Sequence, residues 1–316
     1  MPNGEFPSLD ATLPPASAGS ELLITSIRTG NTEIFAVDLV FGDMRNLTRS
    51  PQSENRYPIW SPDGSKVVFT SDRDVPLTWN LYGMDSNGQN VQRLTDVAEQ
   101  GICYFPTWTR DLIYFGYAPA DGKEAIIARV RPDGSAFSVV GPGRDPAISP
   151  DGQTIAFTQH TGRGYCLFTM SADGSHIRQL TTHENEIGAV TPVWSPDGEK
   201  LLYSDQVGAK LELFICDAAG GNQKQLTHLE QFAASSAWSP DMRFITFRLT
   251  DYDYWNFPDC KDYVYREKKA DQRPVWIMQA DGSHPRIIEA LHYHCALDGS
   301  RPVWKPQSCS SLRPRQ

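Results

Sequence analysis

Four histidines are the residues of this sequence whose types and spacing most readily suggest chemistry. His292 and His294 flank a single residue, so an extended backbone places both imidazoles on the same side. Two imidazoles in this arrangement can bind one divalent metal ion. His183 and His228 occupy similar polar stretches earlier in the chain, and we predict that they join the same metal site. The alternative is that these residues are surface histidines in polar loops.

The second candidate site is a polar and aromatic stretch from about residue 250 to residue 273. It mixes aromatic residues with aspartates, and aromatic residues at this density are not typical of disorder. Aromatic rings can stack on a ligand or bury the apolar surface of a partner. The predicted ligand-binding residues are Tyr252, Tyr254, Trp255, Phe257 and, just before the stretch, Arg248.

Other site chemistry finds no support in the motifs of the sequence. There is no G-x-S-x-G nucleophile elbow, no P-loop and no dinucleotide-binding glycine pattern. The six cysteines are scattered without a C-x-x-C pair, which favours unpaired thiols, although Cys260 and Cys295 could form a disulfide in an exported protein. No complete catalytic set is visible, so the sequence leaves open whether the protein is an enzyme.

Composition and charge limit the partners that we expect. Of the 316 residues, 40% are apolar and 21% are charged, as in a globular protein. The formal net charge of −9 disfavours a nucleic-acid partner. No stretch approaches the roughly 20 apolar residues of a membrane helix, so no membrane partner is expected. The first residues lack a signal segment, which predicts a cytoplasmic protein, or an exported one whose signal has been removed.

An internal repeat determines the predicted architecture. The segment Trp-Ser-Pro-Asp and its variants begin at Trp60, Trp108, Ile148, Trp194, Trp238 and Trp304. The first five are followed by an apolar strand, then by a second strand with a polar turn, and then by a short strand. Ser-Pro-Asp-Gly suits a type I turn, and Asp-x-x-Gly suits a hairpin loop. Each repeat therefore predicts a four-stranded antiparallel sheet, with strands A to D.

The two ends of the chain are predicted to complete one sheet together. Residues 22–26, 33–38 and 46–48 match strands B, C and D with no strand A before them, and residues 301–304 match a strand A with no strand B after it. One such sheet cannot bury both of its faces, whereas a ring of sheets can. We therefore predict an all-β fold, a six-bladed β-propeller closed by the pairing of the N- and C-terminal strands in one blade. The repeat tryptophans 60, 194 and 238 should be buried.

The repeat resembles that of the TolB-like propeller family across residues 22–304. The resemblance rests on Trp-Ser-Pro-Asp-Gly at residues 60–64, on Tyr-x-Met-Asp-x-x-Gly at residues 82–88 and on Arg-x-Leu-Thr at residues 178–181. That family includes periplasmic proteins that bind other proteins, propeller domains of peptidases and sugar-acid lyases. Propeller oligogalacturonate lyases hold a divalent metal with histidines that include an H-x-H pair in a late blade. The spacing of His292 and His294 is similar.

The predicted domain organisation is a flexible tail over residues 1–20, one propeller domain over 21–305 and a flexible tail over 306–316. Topology places the D-to-A and B-to-C connections on one face, which we call the top face. The four candidate metal ligands and the insertion at about 250–273 belong to this face. The insertion could pack against the neighbouring blade, form a lid or stacking wall over the channel, or present a protein-binding patch.

The sequence leaves two main functions open. The first is a binding module that holds a protein segment or a small ligand, such as an acidic carbohydrate, on the top face near the channel mouth. The second is a metal-dependent lyase that acts on acidic sugar oligosaccharides, with the metal neutralising a substrate carboxylate. An assembly scaffold is a third interpretation.

Overall fold

A computed structural model describes residues 21–97, 101–183, 187–250, 274–288, 291 and 300–306. Residues 251–273 of the predicted insertion, His292, His294, Cys260 and Cys295 lie outside these ranges, as do the tails 1–20 and 307–316. Within the described ranges the chain forms 24 β-strands and no α-helix, so the all-β prediction is confirmed. In that part of the chain, no helix is long and apolar enough to span a bilayer.

The strands fall into six four-stranded antiparallel units, with strands A to D in each. The A strands are β4 (Asn55–Trp60), β8 (Ile102–Trp108), β12 (Arg144–Ile148), β16 (Val190–Trp194), β20 (Phe232–Trp238) and β24 (Val303–Trp304). The B strands are β1 (Glu21–Ser26), β5 (Lys66–Ser71), β9 (Ile113–Ala118), β13 (Thr154–His160), β17 (Lys200–Val207) and β21 (Phe244–Thr250). The C strands are β2 (Glu33–Asp38), β6 (Asn80–Asp85), β10 (Ile126–Val130), β14 (Tyr165–Ser171), β18 (Lys210–Asp217) and β22 (Val275–Gln279). The D strands are β3 (Met44–Asn46), β7 (Gln92–Arg93), β11 (Ser138–Pro142), β15 (Arg178–Gln179), β19 (Lys224–Gln225) and β23 (Arg286–Ile287).

Unit 1 combines the two ends of the described chain, because β24 pairs with β1 and the sheet continues through β2 to β3. Leu22 faces Trp304 and Leu23 faces Val303 in this pairing. Units 2 to 6 follow in chain order and begin with β4, β8, β12, β16 and β20. Units 5 and 6 are joined into one eight-stranded sheet by a single parallel bridge between Leu211 and Phe232.

The turn between strands A and B is held by its own side chains. The Ser61 hydroxyl donates to Asp63 Oδ1 at 2.6 Å and accepts from the Lys66 amide at 2.9 Å. The same serine-to-aspartate hydrogen bond recurs in units 4, 5 and 6. The bond from Ser61 lowers the pKa of Asp63, because it stabilises the carboxylate. The Ser-Pro-Asp motif therefore fixes the turn, as the sequence predicts.

Apolar side chains between consecutive units form the core. Each hydrophobic cluster joins the facing strands of two neighbouring units, and the cluster of Leu22, Ile24, Val275 and Ile277 joins unit 1 to unit 6. Trp60, Trp194 and Trp238 are 3%, 8% and 9% exposed, so the prediction that they are buried is confirmed.

Glycines in the C-to-D hairpins let the units approach closely. A Cβ atom on Gly88 would lie 2.3 Å from the carbonyl oxygen of Leu47 in unit 1. A Cβ on Gly282 would lie 2.5 Å from the carbonyl oxygen of Leu226 in unit 5. The hairpin of unit 1 differs, because Gly42 has nothing within 4 Å of this position. That hairpin leaves Phe41 75% exposed.

Candidate functional site

Each A strand contacts the next, so the first strands of the six units lie side by side. Strand β4 contacts β8, β8 contacts β12, and the series continues through β16 and β20 to β24, which contacts β4. Apart from bridges at Ile102 and Phe232, the outer edge of each A strand pairs with no other described strand. Side chains on this edge are therefore the ones that can surround a central space.

Every complete A strand has the same irregularity in its middle. The register with strand B shifts once in β4, β8, β12, β16 and β20. At each shift, a residue that is not glycine adopts a positive φ between 45° and 53°, and these residues are Tyr57, Phe105, Asp145, Thr191 and Ser235. Such conformations cost about 1–3 kcal/mol each and are concentrated at functional sites. Bulges also re-aim side chains at the rims of closed sheets.

We call these five residues, together with Arg301, the axial ring. Arg301 lies three residues before Trp304, the spacing that separates each of the other five from the residue that ends its strand. Proline follows the ring residue in five of the six units, as Pro58 follows Tyr57. Proline lacks an N–H donor and is tolerated only at sheet edges and bulges. This position therefore stays free of strand pairing.

Contacts made by the axial ring join several units. The rings of Tyr57 in unit 2 and Phe105 in unit 3 have centroids 4.5 Å apart. Arg301 of unit 1 places its Cζ 5.7 Å from the Phe105 ring centroid, and its Nη1 lies 3.5 Å from the carbonyl oxygen of Pro192 in unit 5. One arginine side chain thus spans from unit 1 to units 3 and 5, so the ring encloses a narrow space.

The ring combines accessible and buried members. Tyr57, Phe105 and Arg301 are partly exposed, whereas Asp145 is 7% exposed and Thr191 is fully buried. Burial raises the pKa of Asp145, and the charges of Arg144 and Arg301 oppose that shift. The accessible part of the ring therefore presents two aromatic faces and a guanidinium group, the side-chain types that dominate binding energy in protein interfaces.

The predicted metal ligands take different positions where the structure describes them. His183 places Nε2 3.3 Å from Asp205 Oδ2, with both side chains nearly buried. His228 is exposed. Among the described residues, no group of three histidine, cysteine or carboxylate side chains could hold a metal ion. Because His292 and His294 lie outside the described residues, the metal site stays a prediction.

The pair of His183 and Asp205 has unusual electrostatics. Burial raises the pKa of Asp205 to about 7 and lowers the pKa of His183, so each group favours its neutral form. The short distance would also permit an ion pair, but both ions would have to be desolvated. The pair therefore favours a neutral carboxyl group and a neutral imidazole over an ion pair.

The predicted ligand-binding residue Arg248 has a structural contact. It lies on β21, is 3% exposed and donates from Nη1 to the carbonyl oxygen of Ser300 at 2.9 Å. This bond ties unit 6 to the segment that leads into β24. Tyr252, Tyr254, Trp255 and Phe257 lie outside the described residues, so a ligand site built from these residues stays a prediction.

Sequence reasoning missed the axial ring, although one signal was available. A proline occurs two positions before the repeat tryptophan or its equivalent in units 1 to 5, as in Phe105-Pro106 and Thr191-Pro192. Proline inside a strand marks an edge or a bulge. A proline that recurs with the period of the repeat therefore indicates a bulge on an exposed edge. The left-handed backbone itself leaves no signature in residue type, because the ring residues share no side-chain class.

Comparison with known proteins gives a consistent family. A family profile described as the TolB beta propeller domain matches residues 12–190. The Tol-Pal system protein TolB of Anaeromyxobacter dehalogenans is 31% identical over 188 residues, which cover 57% of this chain and 42% of that protein. The chain spans less than half the length of the curated relatives that it matches.

Solved structures show the same architecture. The crystal structure of TolB from Acinetobacter baumannii aligns with a TM-score of 0.68 and 14% identity, over 91% of this chain and 67% of that one. An oligogalacturonate lyase in complex with manganese aligns with a TM-score of 0.57 and 15% identity, over 85% of this chain and 73% of that one. At these identities the similarity establishes the fold alone, which is an all-β propeller.

Proposed function

Since this chain belongs to the TolB beta propeller domain family, we propose that it is a binding module that holds a segment of a partner protein at its axial ring. In this proposal the six units are the blades of one closed propeller. Two features support the closure: β24 pairs with β1, and a hydrophobic cluster joins unit 6 to unit 1. The ring then lines the central channel.

The observation that carries the proposal is the repeated left-handed bulge. Five strands each hold a strained residue at the same position, and the surrounding sheets fix that conformation. A rigid ring loses little conformational freedom when it binds a partner, which increases affinity. Tyr57, Phe105 and Arg301 supply aromatic and cationic surface to the proposed channel. An extended segment could enter such a channel more easily than a folded domain could.

A protein partner is proposed rather than an acidic carbohydrate. The relative in Anaeromyxobacter is named as a component of a multi-protein system. The matched part of this chain covers under half of that relative, so the relative's own partners are not assigned to this chain. The class of partner is inferred from the side chains of the axial ring. Two locations were left open by the sequence. The resemblance to periplasmic members of the family favours the exported one, which we propose in place of the cytoplasm.

A display library of short random linear peptides tests the proposal without knowledge of the partner. The immobilised protein should enrich a family of related peptides. Phe105→Ala and Arg301→Ala should each weaken the binding of these peptides at least about tenfold, because truncating an anchor residue typically has an effect of this size. Phe41→Ala is the matched control, since Phe41 is exposed on the hairpin of unit 1.

Thermal unfolding of each variant shows whether the fold is retained. If the two ring variants keep the unfolding temperature of the unsubstituted protein and still bind the enriched peptides as tightly, the axial ring is not the binding site. If the library yields no enriched peptides, the proposed module function is wrong.

A further inference from the structure

A second group of polar and aromatic residues lies beside the axial ring, at the ends of the strands that form the top face. Arg144 begins β12, Tyr165 begins β14, and Tyr104 lies near the start of β8 in the neighbouring unit. Arg144 Nη1 donates to the Tyr165 hydroxyl at 2.6 Å. Its Cζ lies 5.5 Å from the Tyr165 ring centroid and 5.8 Å from that of Tyr104. The guanidinium group is therefore oriented by two tyrosines from different units.

The fold makes room for one of these tyrosines. A Cβ on Gly116 would lie 2.5 Å from the Tyr104 ring, so only glycine at this position lets the ring lie where it does. The backbone of Gly116 does not require glycine, because its φ is not in the left-handed region. The structurally equivalent residue of unit 2 is Thr70. The glycine thus serves the placement of Tyr104.

Tyr104 is 95% buried, and its hydroxyl oxygen lies beside the Arg144 guanidinium group, which can only donate. No described residue accepts the hydroxyl's own proton. An unsatisfied buried hydroxyl is costly to a fold and is unusual unless a ligand or water completes it. Arg144 beside it is exposed, so a molecule arriving from solvent can reach the guanidinium group. Together, Arg144 and Tyr104 place N–H and O–H donors next to each other.

Charge at this site is positive in a chain that is acidic as a whole. The Asp145 carboxyl lies close enough to Arg144 and Arg301 for both cations to stabilise its ionised form. Two arginines and one aspartate leave a single net positive charge, whereas the whole chain carries −9. A lone positive centre of this kind complements an anion with one charge.

We propose that Arg144, Tyr165 and Tyr104 form a carboxylate-binding subsite at the top of the channel. The planar guanidinium group, already held by Tyr165 through one nitrogen, keeps further N–H donors for a carboxylate. The Tyr104 hydroxyl supplies a donor on the second side. This subsite would be part of the site that binds the partner, so it rests on the proposed function. The carboxylate would be an Asp or Glu side chain or a chain terminus of the bound segment.

The subsite can be tested with acetate alone, by thermal unfolding at constant ionic strength as chloride is replaced by acetate. Acetate also stabilises proteins without binding a site, so the readout is the difference between the protein and Arg144→Gln. The acetate-induced rise in unfolding temperature should be larger in the unsubstituted protein. Tyr165→Phe removes one hydroxyl group, and Gly116→Ala displaces the Tyr104 ring. Each of these variants should therefore show a smaller acetate-induced rise than the unsubstituted protein. An equal rise in all four proteins would overturn the subsite.

The peptides enriched from the library provide a second test, which shows whether the carboxylate comes from a side chain or from the C-terminus. Replacing Asp and Glu by Asn and Gln, or amidating the C-terminus, should identify one carboxylate whose loss weakens binding about tenfold, as for a lost charge-assisted hydrogen bond. In Arg144→Gln that preference should disappear. Enriched peptides with no carboxylate preference would refute the subsite and leave the module function intact. An Arg144-dependent acetate effect without any enriched peptide would support the subsite and refute the module.

Discussion

Burial of Asp205 should make the protein less stable as the pH rises from acid towards neutral. The folded-state pKa of about 7 exceeds the ordinary value of 3.8, so the folded protein keeps a proton that the unfolded chain releases. A raised pKa contributes stability that is complete below the unfolded value and is lost as the pH passes the folded one. At about 1.4 kcal/mol for each pKa unit, this contribution falls by about 3 kcal/mol between pH 4.5 and pH 8.

Asp205→Asn isolates this contribution. The asparagine side chain cannot titrate, yet its oxygen can still accept the hydrogen bond that the Gln206 amide donates to Asp205 Oδ1 at 2.7 Å. His183 is present in both proteins, and burial lowers its pKa. Its effect has the opposite sign, because neutral histidine stabilises above its ordinary pKa and that stability is lost as the pH falls. The difference between the two proteins therefore reports Asp205 alone.

Urea unfolding at a series of pH values measures the difference. The free energy of unfolding of the unsubstituted protein, minus that of Asp205→Asn, should decrease by about 3 kcal/mol from pH 4.5 to pH 8. An ion pair between Asp205 and His183 would instead lower the pKa of Asp205. The difference would then be constant or would increase across the acid range, and the assignment of a neutral pair would be wrong.

Two further predictions use matched variants within the repeat. Gly42→Ala and Gly88→Ala both place alanine at a positive φ, so each should lower the free energy of unfolding by about 1 kcal/mol. Only Gly88→Ala also forces units 1 and 2 apart, which should cost roughly a further 1–3 kcal/mol in urea unfolding. Equal losses in the two variants would show that the hairpin contact contributes no stability. Trp194→Phe should lower the free energy of unfolding by about 1 kcal/mol more than Trp60→Phe does. The reason is that Trp194 Nε1 donates to the Ala147 carbonyl at 2.9 Å, whereas Trp60 Nε1 has no partner among the described residues. The reverse order in urea unfolding would contradict this explanation.

The sequence predicts the repeated parts of this fold because each is encoded within a few neighbouring residues. Ser61, Pro62 and Asp63 form their turn through local hydrogen bonds. The burial of Trp60 follows from its recurrence at the end of a strand. The pairing of residues 22 and 23 with residues 303 and 304 follows from counting the strands at both ends.

The candidate site could not be predicted in the same way, because its residues come together only when neighbouring units pack against each other. Tyr57 and Phe105 are far apart in sequence, and their contact depends on the position of two neighbouring units. Nothing in the sequence links His183 with Asp205, which the fold brings within 3.3 Å of it. The packing of the units determines which side chains face each other. No single position of the repeat encodes that packing.

Photo-crosslinking at the axial ring shows whether a partner binds there. A photoreactive phenylalanine analogue replaces Phe105 in one protein and Phe41 in a second, and each is irradiated with an enriched peptide or with an extract of the source cells. We expect a peptide or protein adduct at position 105 that unlabelled peptide competes away, and no such adduct at position 41. Specific adducts at position 41, with none at position 105, would contradict the claim that the axial ring binds the partner.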